Sequence, residues 1–329
     1  MAIFSTPASP FDPSFPLYTF LTSPLKSITH ALHHLLTSLR HPPPPPHPPI
    51  RIVCISDTHT LLPASIPPGD LLVHAGDLTT AGTPAELQAQ IDWMRSLPHR
   101  HKVVVAGNHD TWLDPRSRAT LSAEDQAATI DWRGIHYLQH AATTLAFPSR
   151  SPGKTGSAAR TLTIYGAPHI PACGPDGFAF QYPRGSDAWT GVLPAGVDVL
   201  VTHTPPKHHC DLFPAALGCE WLARETWRVR PRLHVCGHVH AGRGREGLWW
   251  DEAQQAYERA MGREGAGGTG ELLDGWAWVE CAKVVYYGVV GLVWNRVWGG
   301  DGRPGVLVNA SLMYNNSGEL RNPPQIVYL

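Results

Sequence analysis

The stretch HKVVVAGNHD, residues 101–110, sets a run of valines directly before a glycine, an amide, an imidazole and a carboxylate. A short apolar run that ends at a turn is typical of a buried strand. A turn accounts for Gly107 and Asn108, but it does not account for His109 and Asp110. The meaning of these polar residues therefore depends on whether other strands of the chain end in the same way.

Six further apolar runs resemble the valine run and also predict buried strands. They are RIVCIS (51–56), LLVHA (71–75), TLTIY (161–165), DVLVT (198–202), RLHVC (232–236) and GVLVN (305–309). Between the second and third strands of the chain, TPAELQAQIDWMRSL predicts a helix in which Thr83 and Glu86 form a capping box around Pro84. Strands that alternate with helices indicate an α/β or layered-sheet domain.

Five of these strands are followed by side chains that can bind a metal ion. In chain order these side chains are Asp57, His59, Asp77, Asn108, His203, His238 and His240. The carboxyl ends of parallel strands share one edge of a sheet, so the seven side chains can converge there although they are far apart in sequence. Oxygen and nitrogen donors without a thiolate suit divalent first-row transition metals. Seven donors are too many for one tetrahedral ion and fit two ions that share a carboxylate.

Each of these residues has an ordinary alternative explanation when it is taken alone. An Asp or His after a strand often serves as a turn residue or a helix cap. A non-catalytic scaffold would show a broken donor set, and a structural zinc site would include cysteines. The complete and ordered set of donors argues against all three interpretations.

Five short motifs together resemble those of the calcineurin-like metallophosphoesterase superfamily. They are DTH (57–59), GDL (76–78), GNHD (107–110), TH (202–203) and GHVH (237–240). The sequence that flanks these motifs is similar to that of the metallophosphoesterase-domain-containing group. The similar stretches are LLVHAGDLTTAG (71–82), VDVLVTHTPP (197–206) and RPRLHVCGHVHAGRG (230–244). The resemblance covers residues 50–248 and 305–329.

This resemblance implies a fold and a metal site. The fold is an α/β, four-layer αββα sandwich of two mixed sheets, with a dimetal site at the carboxyl ends of the strands. One divalent ion would be held by Asp57, His59, Asp77 and His240, and the other by Asp77, Asn108, His203 and His238. Asp77 would bridge the two ions. Mn²⁺, Fe, Zn²⁺ and Mg²⁺ are all compatible with these donors, with Mn²⁺ favoured in vitro.

The resemblance also implies hydrolysis of phosphate esters through a metal-bridging hydroxide. A phosphodiesterase acting on small diesters, cyclic nucleotides among them, is the expected activity. A phosphomonoesterase, a protein phosphatase and a non-catalytic nucleotide-binding scaffold are the alternatives. His109 is expected to stabilise the phosphoryl oxygens and to protonate the leaving group. Asp110 is expected to raise the pKa of that imidazole if the two side chains meet, and otherwise to act as a turn residue or cap.

Three other residues are candidates for contact with the substrate. They are Arg243, His208 and Arg184, each of which follows or lies between the motifs. Arg243 comes shortly after His240 and could contact a phosphate. The alternative for all three is a solvated loop position.

Two segments, residues 1–49 and 249–304, lie outside the resemblance. The first predicts an amphipathic helix over residues 23–40 and a proline-rich linker after it. One face of this helix is apolar, with Leu25, Ile28, Leu32, Leu35, Leu36 and Leu39. The opposing stripe is polar, with Lys26, His30, His33, Thr37 and Arg40. The helix is expected to pack on the domain or to form a variable tail, and peripheral membrane contact or targeting through its basic polar face is the alternative.

The second segment contains WAWVECAKVVYYGVVGLVWNRVW, residues 276–298. It is nearly long enough to span a bilayer, but Glu280, Lys283 and Arg296 interrupt it. We expect a packed helix or hairpin that shields the core, with membrane spanning and interfacial contact as alternatives.

Charge and cysteine content narrow the choice of partners and location. The chain has 26 Lys and Arg against 27 Asp and Glu without a basic cluster, so long nucleic acids are not expected as partners. The expected partner is a small phosphate ester, and the oligomeric state is left open. The six cysteines form no CxxC pair and no secretory signal is recognised, so we expect reduced thiols and an intracellular, cytoplasmic location.

Overall fold

The computed structural model describes residues 9–148, 159–263, 267–299 and 304–329. Its strands are β1 (Arg51–Ile55), β2 (Leu71–His74), β3 (His101–Val104), β4 (His136–Tyr137), β5 (Ala141–Phe147), β6 (Arg160–Ala167), β7 (Ile170–Pro171), β8 (Gln181–Tyr182), β9 (Val199–Thr202), β10 (Leu233–Cys236), β11 (Gly244–Leu248), β12 (Gly305–Asn309) and β13 (Gln325–Tyr328). Its helices are α1 (Pro16–Thr22), α2 (Pro24–Ser38), α3 (Pro84–Ser96), α4 (Pro115–Arg118), α5 (Ala123–Ala127), α6 (Glu220–Val229), α7 (Glu252–Gly262), α8 (Thr269–Leu273) and α9 (Gly275–Trp298).

Two mixed sheets pack face to face. The first has the order β13-β1-β2-β3-β4, and its pairs are parallel except for β1–β13. The second has the order β11-β12-β10-β9-β6-β5, and its pairs are parallel except for the two at its edges. Alternate residues of each strand point between the sheets, where Cys54 and Val73 meet Ile164, Val201 and Val235 in one buried cluster. This cluster is the central core.

Helices cover the outer faces of both sheets. Leu87, Ile91 and Met94 of α3 pack against the outward-facing residues of the first sheet, such as Leu72 and Val104. The α3 helix begins as expected, because the Thr83 side chain accepts a hydrogen bond from the Glu86 amide. On the other side, Leu222 of α6 packs against the second sheet. The four-layer sandwich is therefore confirmed.

The loops that follow the strands of the two sheets meet at one edge of the sandwich. The His238 amide, after β10, donates to the Asp57 carboxylate, after β1. The His203 ring, after β9, is hydrogen-bonded to the Ala75 carbonyl, after β2. The loops that follow β1, β2, β9 and β10 therefore surround one shared centre.

The two segments outside the resemblance pack together. Helix α2 from the N-terminal segment contacts α7, α8 and α9 from the 249–304 segment, and α1 packs on α2. The five helices form one helical layer beside the second sheet, where Phe213 packs against the cluster around Tyr257 and Val284. Neither segment covers its buried residues alone, so each depends on the other.

Helix α2 packs on the other helices with part of its polar stripe facing inward. The stripe that contains His33 and Arg40 faces inward, and His33 is only 4% exposed, whereas Leu35 and Leu39 are 56% and 41% exposed. Polar side chains can face inward here because the neighbouring residues offer them suitable contacts. The His33 ring stacks on Tyr257 at 4.0 Å, and the Arg40 guanidinium pairs with Asp251. The helix therefore buries members of its polar stripe together with Leu25 of its apolar face, which is 2% exposed.

The α9 segment is one continuous helix, so the hairpin alternative is wrong. In the described part of the chain it is long and apolar enough to cross a membrane by length and composition, and 22% of its most apolar window is buried. It packs on α2 and α7 through residues such as Cys281 and Val284. Most of its apolar side chains point away from the core, so it does not serve mainly to shield the core.

Candidate metal centre

The backbone at the centre is held in an unusual conformation. Asp57, His59, Asp77 and His238 have positive φ values of 56°, 45°, 54° and 64°. This left-handed region costs a residue other than glycine roughly 1–3 kcal/mol and is concentrated at functional sites. Four of the seven predicted donors therefore occupy strained positions that turn their side chains toward one point.

Two glycines allow the loops to come this close. Gly76, directly before Asp77, has a φ of 101°, which favours glycine. At Gly107 the requirement is space, because an added Cβ would overlap the Asp77 carboxylate and lie 2.7 Å from the His203 ring. The GDL and GNHD motifs are thus packed against each other through these glycines.

One group of donors surrounds Asp57. His240 Nε2 lies 3.5 Å from Asp57 Oδ1 and 3.4 Å from His59 Nε2. Asp57, His59 and His240 each offer one donor atom within 4.8 Å of the others, a spacing that fits a shared metal ion. His59 Nε2 also lies 3.8 Å from Asp77 Oδ2, which connects this group to the second one.

The second group surrounds Asp77. His203 Nε2 lies 3.3 Å from Asp77 Oδ2 and 3.0 Å from Asn108 Oδ1. Asp77, His203 and His238 also offer donor atoms within 4.8 Å of one another. Asp77 is thus close to both groups, and the structure brings all seven predicted donors together. The assignment of each donor to one ion, and the bridging role of Asp77, stay predictions.

Backbone carbonyls orient the imidazole rings. Nδ1 of His203 lies 2.8 Å from the Ala75 carbonyl, and Nδ1 of His240 lies 2.7 Å from the Asn315 carbonyl. A carbonyl can only accept, so in both rings Nδ1 carries the proton and donates it. In the neutral form of each ring, the Nε2 electron pair then points into the centre, as in metal-binding histidines. The sequence had no signal for the contribution of Asn315, because it acts through its backbone.

Charge and burial show that these residues fit a cation. Burial alone lowers the pKa of His203, but the Asp77 carboxylate outweighs it and raises the pKa to about 9. Burial lowers the pKa of His238 to about 3, and its Nε2 is buried without a hydrogen-bond partner. Carboxylates, an amide oxygen and an unpaired imidazole nitrogen therefore face one another. A positive charge between them would stabilise this arrangement. A divalent ion would supply that charge and displace the His203 proton.

His109 lies at the open side of the centre. Its amide donates to Asp77 Oδ1 at 2.8 Å, and its Nδ1 lies 3.2 Å from the Thr80 carbonyl. Nδ1 therefore carries a proton, and Nε2 is the atom left for chemistry. The ring also contacts the Phe178 ring at 4.8 Å between centroids. This placement is compatible with the predicted role as a proton donor.

The expected pairing of Asp110 with the His109 imidazole is wrong. The buried Asp110 carboxylate instead accepts hydrogen bonds from the amides of Gly107 at 2.7 Å and Thr79 at 3.0 Å, and from the Thr79 hydroxyl at 2.7 Å. Its acceptor positions are used by the two loops that carry Asn108 and Asp77. Asp110 is therefore a brace for the loops, closer to the turn-residue alternative.

The three predicted substrate residues differ in their surroundings. His208 and Arg243 line a cavity of about 430 Å³ together with His30 and His34 of α2. Arg243 also donates to the Pro323 carbonyl at 3.0 Å. Arg184 donates to the Leu217 carbonyl at 3.2 Å, and within the described residues its hydrogen bonds reach no member of the metal centre. The sequence missed two aromatic neighbours of the centre, Phe178 beside His109 and Phe11, whose ring lies 5.3 Å from that of His238.

A two-sheet sandwich with Asp, Asn and His donors at its strand ends is the architecture of a dinuclear metallohydrolase. The sequence profile of the calcineurin-like phosphoesterase family matches residues 50–242. The chain belongs to this family, which confirms the resemblance, and its donor groups fit the dinuclear divalent metal site that the fold implies.

Individual relatives are similar over part of their length. Metallophosphoesterase domain-containing protein 1 of Homo sapiens is 36% identical over 217 residues, which are 62% of this chain and 64% of that protein. The protein named UPF0046 protein C25E10.12 of Caenorhabditis elegans is 36% identical over 211 residues, which are 59% of this chain and 70% of that protein. A protein of Emericella nidulans named probable rhamnogalacturonate lyase C is 40% identical over 264 residues, 80% of this chain but 23% of that protein. The chain thus spans about a quarter of the last relative and just under two thirds of the human one.

Proposed function

We propose that this chain is a phosphodiesterase that hydrolyses small phosphate diesters, with cyclic nucleotides as candidate substrates. The observation that supports this most is the convergence of the full Asp, Asn and His donor set around Asp77, with His109 at its open side. Two divalent ions bound there would lower the pKa of a water molecule and neutralise charge on the phosphoryl group. Mn²⁺ is the proposed ion for assays in vitro.

His109 is the proposed general acid. In hydrolysis, a water molecule loses a proton to solvent and its oxygen bonds to phosphorus, the bond from phosphorus to the leaving oxygen breaks, and that oxygen takes up a proton. His109 Nε2 can supply it, because Nδ1 is directed to the Thr80 carbonyl and holds the ring in place. The amide of His109 donates to Asp77, so the acid and the metal donors move as one unit.

The surroundings of the centre favour a diester over a monoester. A monoester is a dianion near neutral pH and would benefit from further cations, whereas a diester carries one negative charge. The arginines that were candidates for phosphate contact, Arg243 and Arg184, donate to backbone carbonyls. The rings of Phe178 and Phe11 flank His109 and His238 and offer apolar surface for the organic groups of a diester.

Metal analysis paired with two chromogenic substrates tests this proposal. We expect about two metal ions per chain after purification with Mn²⁺. With Mn²⁺ added, we expect faster hydrolysis of the diester bis-p-nitrophenyl phosphate than of the monoester p-nitrophenyl phosphate. A screen of cyclic nucleotides would follow.

Two results would overturn the proposal in different ways. A higher kcat/KM for the monoester would assign a phosphomonoesterase with the same metal centre. Failure to bind metal together with no turnover of either ester would favour the non-catalytic scaffold.

A further inference from the structure

Exposed apolar side chains are concentrated on the helical layer. Of the 22 large apolar residues that are exposed in the described part of the chain, 18 lie on or beside α1, α2, α8 and α9. On α9 they are Trp276, Trp278, Val279, Tyr286, Val289, Val290, Val293, Trp294, Val297 and Trp298. On and beside α1 and α2 they are Phe15, Leu17, Phe20, Leu21, Leu35 and Leu39. We call these two sets the apolar face. Contiguous patches of this kind mark interaction sites.

The helices that carry the apolar face have their polar residues inside. Glu280 and Asn295 of α9 are buried, as are Thr29 and His33 of α2. Glu280 accepts from Arg259 and Lys283, and the Asn295 side chain bonds both backbone groups of His41. Helices at the surface of a water-soluble domain have the reverse arrangement. Polar residues inside and apolar residues outside suit a surface that faces hydrocarbon.

The exposed side chains along α9 are of the types that enter the boundary between lipid and water. Trp276 and Trp278 lie at its beginning, Trp294 and Trp298 at its end, and exposed valines lie between them. Tryptophan is enriched at the boundary between lipid and water, and aliphatic side chains in the hydrocarbon. A helix of 24 residues is about 36 Å long, so the apolar face is an extended strip rather than a pocket.

An exposed arginine lies near the end of the apolar face. On α9 the Lys283 ammonium pairs with Glu280 at 2.8 Å, whereas Arg296 is exposed. Within the described residues the Arg296 guanidinium donates to the Leu39 carbonyl and forms no ion pair with a carboxylate. A cation at the end of an apolar strip complements a bilayer that contains anionic lipids.

We infer that the apolar face docks onto the surface of a bilayer that contains anionic lipids. The helices lie in the interface and do not span it, because the other side of α9 packs on α2 and α7 along its length. This surface differs from the basic stripe of α2 that the sequence suggested, since His33 and Arg40 of that stripe are buried. The inference is independent of the proposed phosphodiesterase activity.

Co-sedimentation of the full chain with lipid vesicles tests this inference. The vesicles consist of phosphatidylcholine alone or of an equimolar mixture with phosphatidylserine. We expect the chain to bind both and to bind the mixture more tightly. Val290→Glu and Val297→Glu, at positions that are 48% and 62% exposed, should each weaken binding about tenfold.

Tyr328→Glu is the matched control, because Tyr328 is 50% exposed on β13 and lies outside the apolar face. It should bind like the unaltered chain, and circular dichroism should show the same helix content for all variants. Unaltered binding by both valine variants would overturn the inference. So would a chain that ignores vesicles but forms a dimer that Val290→Glu separates, since the apolar face would then be a subunit interface.

Discussion

Two groups of five histidines use their ring nitrogens in different ways. The first, the metal centre, contains His59, His109, His203, His238 and His240. The second, which we call the layer cluster, lies between α2 and the loop after β9 and contains His30, His33, His34, His208 and His209. Within the described residues, the groups whose donor spacing fits a metal ion all belong to the first.

The layer cluster is built on a closed ion triad. His209 Nδ1 lies 2.9 Å from Glu246, and its Nε2 lies 3.0 Å from Glu258. Burial alone lowers the pKa of His209, but its hydrogen bonds to the two carboxylates outweigh burial and raise the pKa to about 10. The same hydrogen bond opposes burial at Glu246 and lowers its pKa to about 2. Both ring nitrogens are donors to protein groups, so this ring has no atom left for a metal.

The metal centre leaves its acceptors facing one another. His238 Nε2 is without a partner, and His203 Nε2 faces oxygens of Asp77 and Asn108. The comparison teaches that the number of histidines does not identify a metal site. What identifies it is a set of Asp, Asn and His donor atoms that face one another closely, with the buried His238 Nε2 left without a hydrogen-bond partner.

The largest expected effect is that of Asp77→Asn at the metal centre. This variant should lose detectable phosphodiester hydrolysis and bind less metal, because it removes negative charge from the carboxylate that lies close to both donor groups. Activity is measured with bis-p-nitrophenyl phosphate and metal content by elemental analysis. Asp92→Asn, at an exposed site near Arg133, is the control and should behave normally. Full metal occupancy in the Asp77 variant would refute the bridging role.

The next effect in size is that of His109→Ala. We expect this variant to keep its metal ions but to lower kcat by on the order of 10²–10⁴, the usual contribution of a general acid. The loss should be smaller with a diester whose leaving group has a low pKa, because such a group needs less protonation. A rate equal to that of the unaltered chain would remove His109 from the mechanism.

In the layer cluster, His209→Ala should change stability rather than metal content. Removal of the imidazolium leaves the Glu246 and Glu258 carboxylates buried without their cation, which should lower the free energy of unfolding by about 3–5 kcal/mol. Urea unfolding measures this loss, with His47→Ala at an exposed position as the control. Loss of metal at unchanged stability would contradict the distinction between the two clusters.

The smallest expected effect is the pH dependence of the unfolding free energy that His209→Ala loses. The pKa of His209 rises from 6.5 to about 10 on folding, so its contribution to stability is complete below pH 6.5 and is lost as the pH rises through 10. The pKa of Glu246 falls from 4.5 to about 2, so its contribution is present above pH 4.5 and is lost as the pH falls through 2. The stability difference between the unaltered chain and His209→Ala should therefore be largest between pH 4.5 and 6.5. A difference that grows between pH 7 and 10 would refute this assignment.

The features that could be predicted from the sequence are those that depend on one strand and the few residues after it. The strand β3 and the residues after it follow from a valine run and a glycine. The structure also brings the seven predicted donors together, because parallel strands place their carboxyl ends at one edge. The predicted pairing of Asp110 with His109 was wrong because the Asp110 carboxylate accepts hydrogen bonds from the amides of Leu78 and Thr79. These two residues are about thirty positions away in another loop.

The sequence by itself therefore determined the sandwich, the family and the set of donors. Only the tertiary structure decided which side of α2 is buried and that the two segments outside the resemblance form one layer. The partners that orient α2 lie far along the chain, with Tyr257 227 residues after His30 and Asp251 211 residues after Arg40. Helical periodicity separates a polar side from an apolar side, but it does not reveal which side meets a partner. That choice is made by the packing surface, which here offers a phenol and a carboxylate to the polar side and leaves Leu35 and Leu39 exposed.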